Sequence, residues 1–346
     1  MSRIAVVTSS PPMVDGGHLT IARALVQALR EAGHDADVVT TPQNRFGRQA
    51  SAYVATWLTD VGMSGGNRVD RVISLRYPSY AVRHPHHVCW LNHTMREYYD
   101  LWDRFAATLS PKGRLKEGLR RRAIHVVDRY LLTRNVSRLF VQSRTIQERL
   151  AMWPELQSTV LYPPPPQRSY RCDAYGDFIF FVSRLTALKR TDLLLRALAT
   201  PAASSVRVVI AGDGEEREAL TTQARELGIA ARVTFVGSLT DADLVEHLAR
   251  CRAVCFPPLS EDFGFVTVEG FAAGKAVITC RDSGGPAELV EHEVNGLIVD
   301  PTPEALGAAL ARVMDDPGTA ERMGAEARRT VSRFTWSDVV SKLTVD

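Results

Sequence analysis

Short apolar runs of strand length alternate with segments of helical periodicity along almost the whole 346-residue chain, and this alternation limits the possible folds most strongly. The run Ile4 to Thr8 is continuous, as expected for a strand buried on both faces of a parallel sheet. Leu19 to Leu29 then has apolar residues at helical spacing, and Gly33 stands where a helix would stop. Repeated strand–helix units predict doubly wound α/β domains, in which ligands bind at the carboxyl ends of the strands.

Four consecutive prolines after Tyr162 interrupt this alternation. They can continue neither a helix nor a central strand, so we expect a stiff, extended linker. The prediction is an N-terminal domain over 1–165, a C-terminal domain over 166–330 with a cleft between the two, and a tail over 331–346. Further strands are predicted at 37–40, 72–75, 88–91, 139–142, 178–182, 206–211, 233–236, 253–256, 276–279 and 296–299. Further helices are predicted at 145–152, 192–199, 215–227, 241–251, 266–273 and 303–314.

Composition narrows the class of protein. Apolar residues make up 45% and charged residues 23%, as in a globular protein, and the longest apolar runs are far shorter than a membrane span. A net charge of +3 is too small to imply a nucleic-acid partner, whereas an anionic small molecule is compatible with it. The first strand begins at once, without the features of a secretory signal, and the five cysteines suggest no disulfide framework. Cys251 and Cys255 lack a second Cys or His pair, so we expect a reduced, cytoplasmic protein without a metal site.

The loop Asp15 to His18 joins the first strand to the first helix and contains Gly16 and Gly17. Two glycines let the backbone approach a ligand, and the helix that follows directs N–H groups at it. A plain strand–helix turn explains the same residues equally well. The spacing is not that of the dinucleotide fingerprint, and neither is that of Gly212 to Gly214, which disfavours a nicotinamide-dependent enzyme.

Two cations follow the predicted strand that ends at Val182. Arg184 and Lys189 stand on a loop at the carboxyl end of this strand, where a phosphate would bind, and two fixed positive charges can neutralise a leaving diphosphate without a metal. Taken alone, adjacent cations such as Lys189 and Arg190 are more often a solvated surface pair, but the context favours a site, because Arg184 and Lys189 flank the start of a helix and face the predicted cleft.

The segment Glu261 to Glu269 carries the strongest signal. It has two glutamates eight positions apart, the first in a loop and the second on the helix that follows. The loop carboxylate can accept hydrogen bonds from sugar hydroxyls, and the N–H groups of Phe263, Gly264 and Phe265 lie at a helix N-terminus that favours an anion. A role as a cap of the helix that follows is an acceptable alternative explanation for Glu261. It explains Glu269 poorly, because a carboxylate on an apolar helix needs a partner or a ligand.

In these motifs the chain resembles the retaining glycosyltransferases of glycosyltransferase family 4, which have the GT-B fold. The resemblance runs through Phe181 to Leu185, Lys189, Ala211 to Glu215, Phe235 to Gly237, Glu261 to Glu269, Asn295 to Val299 and Phe334 to Trp336. It implies two Rossmann-like domains that face each other across the cleft.

The resemblance also implies the roles of individual residues. Arg184 and Lys189 would bind the donor diphosphate, Glu261 would bind hydroxyls of the donor sugar, and Glu269 would bind the ribose. His93, at the end of a predicted strand, would lie near the reacting centre, although a structural histidine is the simpler alternative. The remaining donor-binding positions implied are Gly16, Gly17, Gly212, Val236, Gly237, Ser238, Phe263, Gly264 and Phe265. The last helix, Thr335 to Leu343, would cross back to the N-terminal domain.

The implied reaction moves a hexose-type sugar from a nucleoside-diphosphate sugar to a hydroxyl of a glycan, glycolipid or small molecule. It would retain the anomeric configuration by a front-face substitution, with no cofactor and no metal. Two alternatives stay open, a nucleotide-sugar epimerase of the same fold and a non-catalytic nucleotide-sugar-binding protein. The donor base and sugar, the acceptor and the oligomeric state are not determined.

The segment Lys112 to Arg134 has eight basic residues against two acidic ones. A basic, partly amphipathic helix of this kind can lie on an anionic membrane or bind an acidic acceptor. A solvated helix face is the alternative.

Overall fold

The computed structural model describes residues 1–11, 17–43 and 46–345, with the backbone alone at His18. The chain forms two compact units. The first contains Met1–Pro163 together with Thr335–Asp346, and the second contains Pro164–Phe334, so the units divide within the proline run.

The first unit is built on a parallel sheet. Within its described part this sheet has six strands, which are β1 (Arg3–Ser10), β2 (Asp35–Pro42), β5 (Arg71–Arg76), β6 (His87–His93), β7 (Arg138–Val141) and β8 (Thr159–Val160). Their order is β2-β1-β5-β6-β7-β8, so the direction of winding reverses at β1. A small antiparallel hairpin pairs β3 (Met63–Ser64) with β4 (Asn67–Arg68).

Helices cover this sheet. Its described helices are α1 (Gly17–Glu31), α2 (Gln49–Leu58), α3 (Trp102–Ala107), α4 (Pro111–Arg134), α5 (Arg144–Leu150) and the C-terminal α13 (Trp336–Thr344). In α1 the buried side chains Ile21, Leu25 and Leu29 recur every four residues, which is the spacing that puts them on one helix face. Trp90 of β6 is fully buried and meets the Trp336 ring edge to face.

The second unit repeats the architecture. Its sheet, counted over the described chain, contains β9 (Ile179–Val182), β10 (Val208–Ala211), β11 (Val233–Gly237), β12 (Ala253–Cys255), β13 (Val277–Cys280) and β14 (Gly296–Val299), all parallel, in the order β11-β10-β9-β12-β13-β14. The helices are α6 (Thr191–Leu198), α7 (Arg217–Glu226), α8 (Asp241–Arg250), α9 (Phe265–Ala272), α10 (Gly285–Leu289), α11 (Pro303–Asp315) and α12 (Pro317–Val331). The winding reverses at β9, which lies between β10 and β12.

The prediction of two doubly wound α/β domains is confirmed, and each predicted strand is present within about two residues of its expected ends. The helices α2, α3, α10 and α12 were not predicted. Gly318 and Gly324 weaken the helical pattern of α12, because glycine disfavours helix interiors. Its start signal was nevertheless present, since Asp316 caps the helix by accepting from the Thr319 N–H at 3.1 Å and Pro317 occupies the first turn. Among the described residues, no helix combines the length and the apolar character needed to cross a membrane.

Candidate active site

The carboxyl edge of the second sheet collects most of the predicted site residues. Because its strands are parallel, the loops that follow them emerge at the same edge. Arg184 follows β9, Gly212 follows β10, and Gly237 ends β11. Glu261 follows β12, the neighbour of β9 on its other side. The sheet topology therefore brings both predicted cations and the loop carboxylate to the point where the winding reverses.

Lys189 and Glu261 form an ion pair. The Lys189 Nζ lies 2.5 Å from the Glu261 Oε2, and each side chain is 20% exposed. The ammonium also lies 5.6 Å from the centre of the Phe256 ring. Within the described part of the chain, Glu261 Oε1 has no hydrogen-bond partner, so one carboxylate oxygen is available to a ligand.

Arg184 differs from Lys189. Its side chain is exposed and, among the residues that the structure describes, it makes no hydrogen bond or ion pair. An arginine without a carboxylate partner at the carboxyl end of β9 can bind an anion without first breaking a salt bridge.

Arg190 is not part of a solvated surface pair, so that interpretation is wrong. Its side chain is 15% exposed and its guanidinium binds both carboxylate oxygens of Asp282 at 2.7 and 2.8 Å. It also donates to the carbonyl oxygens of Pro257 and Pro258, at 2.7 Å each. Arg190 thereby holds the beginning of the loop that carries Glu261.

The helix α9 begins directly behind this loop. Gly264 has a φ of +78°, and a Cβ there would lie 2.8 Å from Pro286 Cγ and 2.9 Å from Phe256 Cε1. Phe263 is buried and packs edge to face on Phe265. As at any helix start, the N–H groups of the first turn have no partner inside the helix. The capping role considered for Glu261 is wrong, because Gly264 occupies the N-cap position.

Glu269 is buried on α9 and has partners in the protein. Its Oε1 accepts from Arg168 Nη1 and from the Tyr170 hydroxyl, the latter at 3.1 Å. Burial raises the pKa of Glu269, while Arg168 and the Tyr170 hydrogen bond act in the opposite direction. Its Oε2 has no hydrogen-bond partner among the described residues.

Gly212 and Gly237 are joined directly. The Gly212 N–H donates to the Gly237 carbonyl at 2.7 Å, at an irregularity in the β10–β11 pairing. A Cβ on Gly212 would lie only 1.8 Å from the Ser183 carbonyl oxygen, so close packing of two loops requires a glycine there. Val236 and Ser238 flank Gly237 and are exposed.

Three predicted residues belong to the first unit. Gly16 lies outside the described residues, whereas Gly17 is the first residue of α1. His93 is the last residue of β6 and is half-buried, and its carbonyl accepts from the Tyr77 N–H at 3.1 Å. Elements of the first unit therefore position Gly17 and His93.

Residues 170–330 match the model of a family described as glycosyl transferases group 1. An uncharacterized glycosyltransferase of Methanocaldococcus jannaschii is 25% identical over 389 residues, which cover 99% of this chain and 97% of that protein. The D-inositol 3-phosphate glycosyltransferase of Rhodococcus jostii is 36% identical over 175 residues, 48% of this chain and 38% of that relative.

This chain is a glycosyltransferase. Solved structures show that its fold is GT-B. Sucrose-phosphate synthase of Thermosynechococcus elongatus matches with a TM-score of 0.79 at 18% identity, over 99% of this chain and 97% of that one. Anabaena HepE, in complex with UDP and glucose, matches with a TM-score of 0.70 at 20% identity, over 99% of this chain and 98% of that one.

Sequence reasoning missed three residues of this glycosyltransferase that hold its predicted site together. They are Arg168, Tyr170 and Arg190. A signal existed for the first two, since a buried carboxylate at Glu269 demanded a partner, but nothing in the sequence said which cation would supply it. The partner comes from a position 101 residues earlier in the chain.

Proposed function

We propose that this glycosyltransferase moves a hexose-type sugar from a nucleoside-diphosphate sugar to a hydroxyl acceptor, with retention and without a metal. The observation that carries the proposal is the carboxyl edge of the second sheet, where the loops after the neighbouring strands β9 and β12 hold Arg184 and the Lys189–Glu261 ion pair. Among the described residues, the Arg184 side chain has no partner. A diphosphate bound there meets two cations and the N-terminus of α9.

The chemistry follows from these groups. The bond between the anomeric carbon and the diphosphate oxygen breaks as the acceptor oxygen forms its bond to the same carbon on the same face. The acceptor's proton passes to the departing diphosphate. Arg184 and Lys189 stabilise the negative charge that develops on the leaving group, while Glu261 Oε1 accepts from a donor-sugar hydroxyl. In this proposal Glu269 binds the ribose, Val236 to Ser238 lie near the base, and His93 and Gly17 act from the first unit.

The nucleotide donor is supported by the HepE structures, which contain UDP with glucose or UDP-glucose. The base stays open for this chain, because the residues proposed to lie near it offer backbone as much as side chains. A thermal-shift panel of UDP, GDP and ADP with their glucose and mannose derivatives identifies the preferred ligand, since a ligand of the folded state raises the melting temperature by mass action.

The decisive experiment measures donor turnover in Arg184→Ala and Lys189→Ala variants. Loss of either cation is expected to lower kcat by roughly 100-fold or more, as for other groups that stabilise developing charge. The matched control is Arg207→Ala, which removes a surface guanidinium paired with the exposed Asp177. Turnover equal to wild type in both site variants would refute the proposal.

Two further measurements test the finer parts of the reaction. Activity is expected to survive EDTA, and strict dependence on a divalent cation would contradict the metal-independent site. Product analysis without acceptor separates transfer from epimerisation, because an epimerase converts the donor alone. Binding of a nucleotide sugar with no transfer to any acceptor would favour a non-catalytic protein.

We further propose that α4 docks the enzyme on the surface of an anionic membrane. Four apolar side chains of this helix, here called the 115–130 stripe, are at least 57% exposed and recur at intervals of four and seven residues, which places them on one face: Leu115, Leu119, Val126 and Tyr130. Lys112, Lys116 and Arg122 are exposed on the same helix.

Both acidic residues of α4 are directed inward. Glu117 is buried and bound to Tyr98 and Arg120, and Asp128 is fully buried. The exposed charges of the helix are therefore all positive. Apolar residues flanked by cations, with no exposed carboxylate on the helix, match the chemistry of an anionic lipid surface.

Vesicle cosedimentation tests this surface. Wild type is expected to bind vesicles of phosphatidylcholine with phosphatidylglycerol at least tenfold better than phosphatidylcholine alone, and Leu119→Glu with Val126→Glu is expected to abolish the difference. Met63→Glu, which changes another exposed apolar residue, is the control. Equal binding by the α4 variant and wild type would refute membrane docking. It would also refute the expectation of a cytoplasmic protein attached peripherally to the inner face of the membrane.

A further inference from the structure

The segment that follows the proline run makes a contact that no part of the proposed reaction uses. Arg168 and Tyr170 lie in this segment, outside the helices and strands of the second unit. Arg168 is only 14% exposed, although it lies on a segment without regular structure. A long cation buried at such a position is held by specific partners, because leaving its charge unpaired out of water would be costly.

Arg168 joins two helices. Its Nη1 donates to Glu269 Oε1 on α9, and its Nη2 donates to Asp241 Oδ1, at 2.8 Å, on the first residue of α8. The helix α8 follows Ser238, next to the proposed base-contacting residues, whereas α9 carries the proposed ribose carboxylate. One guanidinium thus links the two elements that border the nucleoside part of the proposed donor site.

The contacts of Glu269 are unevenly distributed. Both protein donors, Arg168 and Tyr170, bind Oε1, and Oε2 has no partner in the described part of the chain. A carboxylate fixed through one oxygen presents the other in a defined direction, which lowers the entropy lost when a ligand binds. The cation also favours the ionised form of a carboxylate that burial would otherwise push towards its neutral form.

We propose that Arg168 is a positioning residue for nucleoside binding: it fixes Glu269 through Oε1, so that Oε2 accepts from the ribose hydroxyls. Tyr170 assists by binding the same oxygen. This inference rests on the proposed function, because Arg168 and Tyr170 support a residue of the same donor site.

The test compares nucleotides that differ only in the ribose hydroxyls. Calorimetry measures the Kd of UDP and of 2′,3′-dideoxy-UDP, or of the corresponding guanosine or adenosine pair if the thermal-shift panel selects that base. Wild type is expected to bind the ribonucleotide at least tenfold more tightly, since hydrogen bonds to a charged acceptor are among the stronger ones. In Arg168→Met this ratio is expected to fall below about threefold, mainly through weaker binding of the ribonucleotide.

The controls separate positioning from general damage. Arg171→Met removes a guanidinium three positions away whose ion pairs, in the described part of the chain, are with Asp173 and Glu246, and it should leave the ratio unchanged. Tyr170→Phe removes one hydroxyl and should lower the ratio less than Arg168→Met does, which provides a second variant if Arg168→Met fails to fold. Arg168→Lys keeps a charge and should restore part of the ratio.

A pH series adds a readout that a purely structural role would not change. Without Arg168, ribonucleotide affinity is expected to decrease as the pH is lowered, beginning at a higher pH than in wild type, because Glu269 takes up a proton more readily. The dideoxy nucleotide should show no such additional loss. A wild-type ribose ratio in both Arg168→Met and Tyr170→Phe would overturn the inference and leave the proposed function intact. Failure of wild type to bind any of the nucleotides would refute both.

Discussion

Arg190 has a backbone φ of +52°, in the left-handed region that costs a side chain about 1–2 kcal/mol. Its neighbour Lys189 reaches Glu261, while Arg190 itself binds the two proline carbonyls and Asp282. The unfavourable backbone conformation turns consecutive cations towards different partners. We infer that the guanidinium contacts offset the backbone cost and keep the Glu261 loop in place.

Two substitutions separate the stabilisation by the Arg190 guanidinium contacts from the cost of its left-handed backbone conformation. Arg190→Gly removes the contacts but relieves the backbone, whereas Arg190→Ala removes the contacts and keeps the cost. We expect both to be less stable than wild type, with the alanine variant lower than the glycine variant by about 1 kcal/mol. Urea unfolding measures the order, and turnover should drop in both as Glu261 loses its support. A glycine variant as stable and as active as wild type would show that the contacts contribute nothing.

Asp128, like Arg190, is a residue whose contacts were not predicted from the sequence. It is fully buried on α4 and accepts from Tyr80 and Tyr99 at 2.5 Å each, and from Tyr53. Burial raises its pKa from 3.8 to about 6, although the three hydroxyl donors act in the opposite direction. Because the folded state binds the proton more tightly, the stabilisation by this group is complete below about pH 4 and is lost as the pH rises through 6.

Comparison with Asp128→Asn isolates this effect. The unfolding free energy of wild type, minus that of the variant, is expected to decrease between pH 5 and pH 7, because only wild type must bury a charge at the higher pH. Urea titrations at both values measure it. Asp103→Asn, at an exposed position of α3, should show no such trend. A difference that is the same at both pH values would contradict the raised pKa of Asp128.

At the scale of elements, the loops at the carboxyl edge of the second sheet are packed through glycines. A Cβ on Gly212 would meet the Ser183 carbonyl oxygen, and one on Gly214 would lie 2.3 Å from the Leu185 carbonyl oxygen. The β10 loop therefore rests directly on the backbone of the loop that carries Arg184. Gly212 supports the geometry of the proposed phosphate site through packing as well as through its position.

This packing predicts a contrast between two glycines of the proposed donor site. Gly212→Ala should destabilise the protein by about 3 kcal/mol or more, because backbone must move to admit the methyl group. Gly17→Ala should change stability by less than about 0.5 kcal/mol, since a Cβ there meets nothing within 4 Å. Thermal unfolding of both variants checks this, and a well-tolerated Gly212→Ala would disprove the close contact.

The same elements show how far sequence reasoning reached into the site. The strand ends were predictable, because apolar runs and the glycines behind them are local signals, so Arg184, Lys189 and Glu261 could be assigned to one edge. Arg168 could not be assigned, because its segment has no periodicity and its partner Glu269 lies far along the chain. Which cation meets which carboxylate depends on the packed arrangement.

At the scale of the whole molecule, the chain does not end in the unit that its sequence order suggests. Residues Thr335–Asp346 belong to the first unit, although they follow the second along the chain. In α13, Val339, Val340 and Leu343 are buried, and the helix packs against α1 while Trp336 meets Trp90. The first unit is therefore completed only by the last residues of the chain.

Removing α13 should weaken the first unit selectively. A chain ending at Phe334 is expected to exchange its backbone amide hydrogens faster in β6 and α1, with little change in β9 and β10. Hydrogen exchange followed by mass spectrometry measures this region by region. If the truncated chain does not fold, Leu343→Ala should give the same pattern more weakly, with a loss of about 2–5 kcal/mol. Unchanged exchange in β6 and α1 would show that α13 adds nothing to the first unit.

The order of residues by itself determined the alternation of strands and helices, the parallel sheets and the type of chemistry at their carboxyl ends, because hydrophobic periodicity and glycine placement act over a few residues. Only the tertiary structure decided which charges are paired. It joined Lys189 to Glu261 and Arg168 to Glu269, left Arg184 without a partner among the described residues, and turned both carboxylates of α4 inward. The Lys189–Glu261 and Arg168–Glu269 pairs join side chains that are 72 and 101 positions apart in the chain, and no local pattern encodes such contacts.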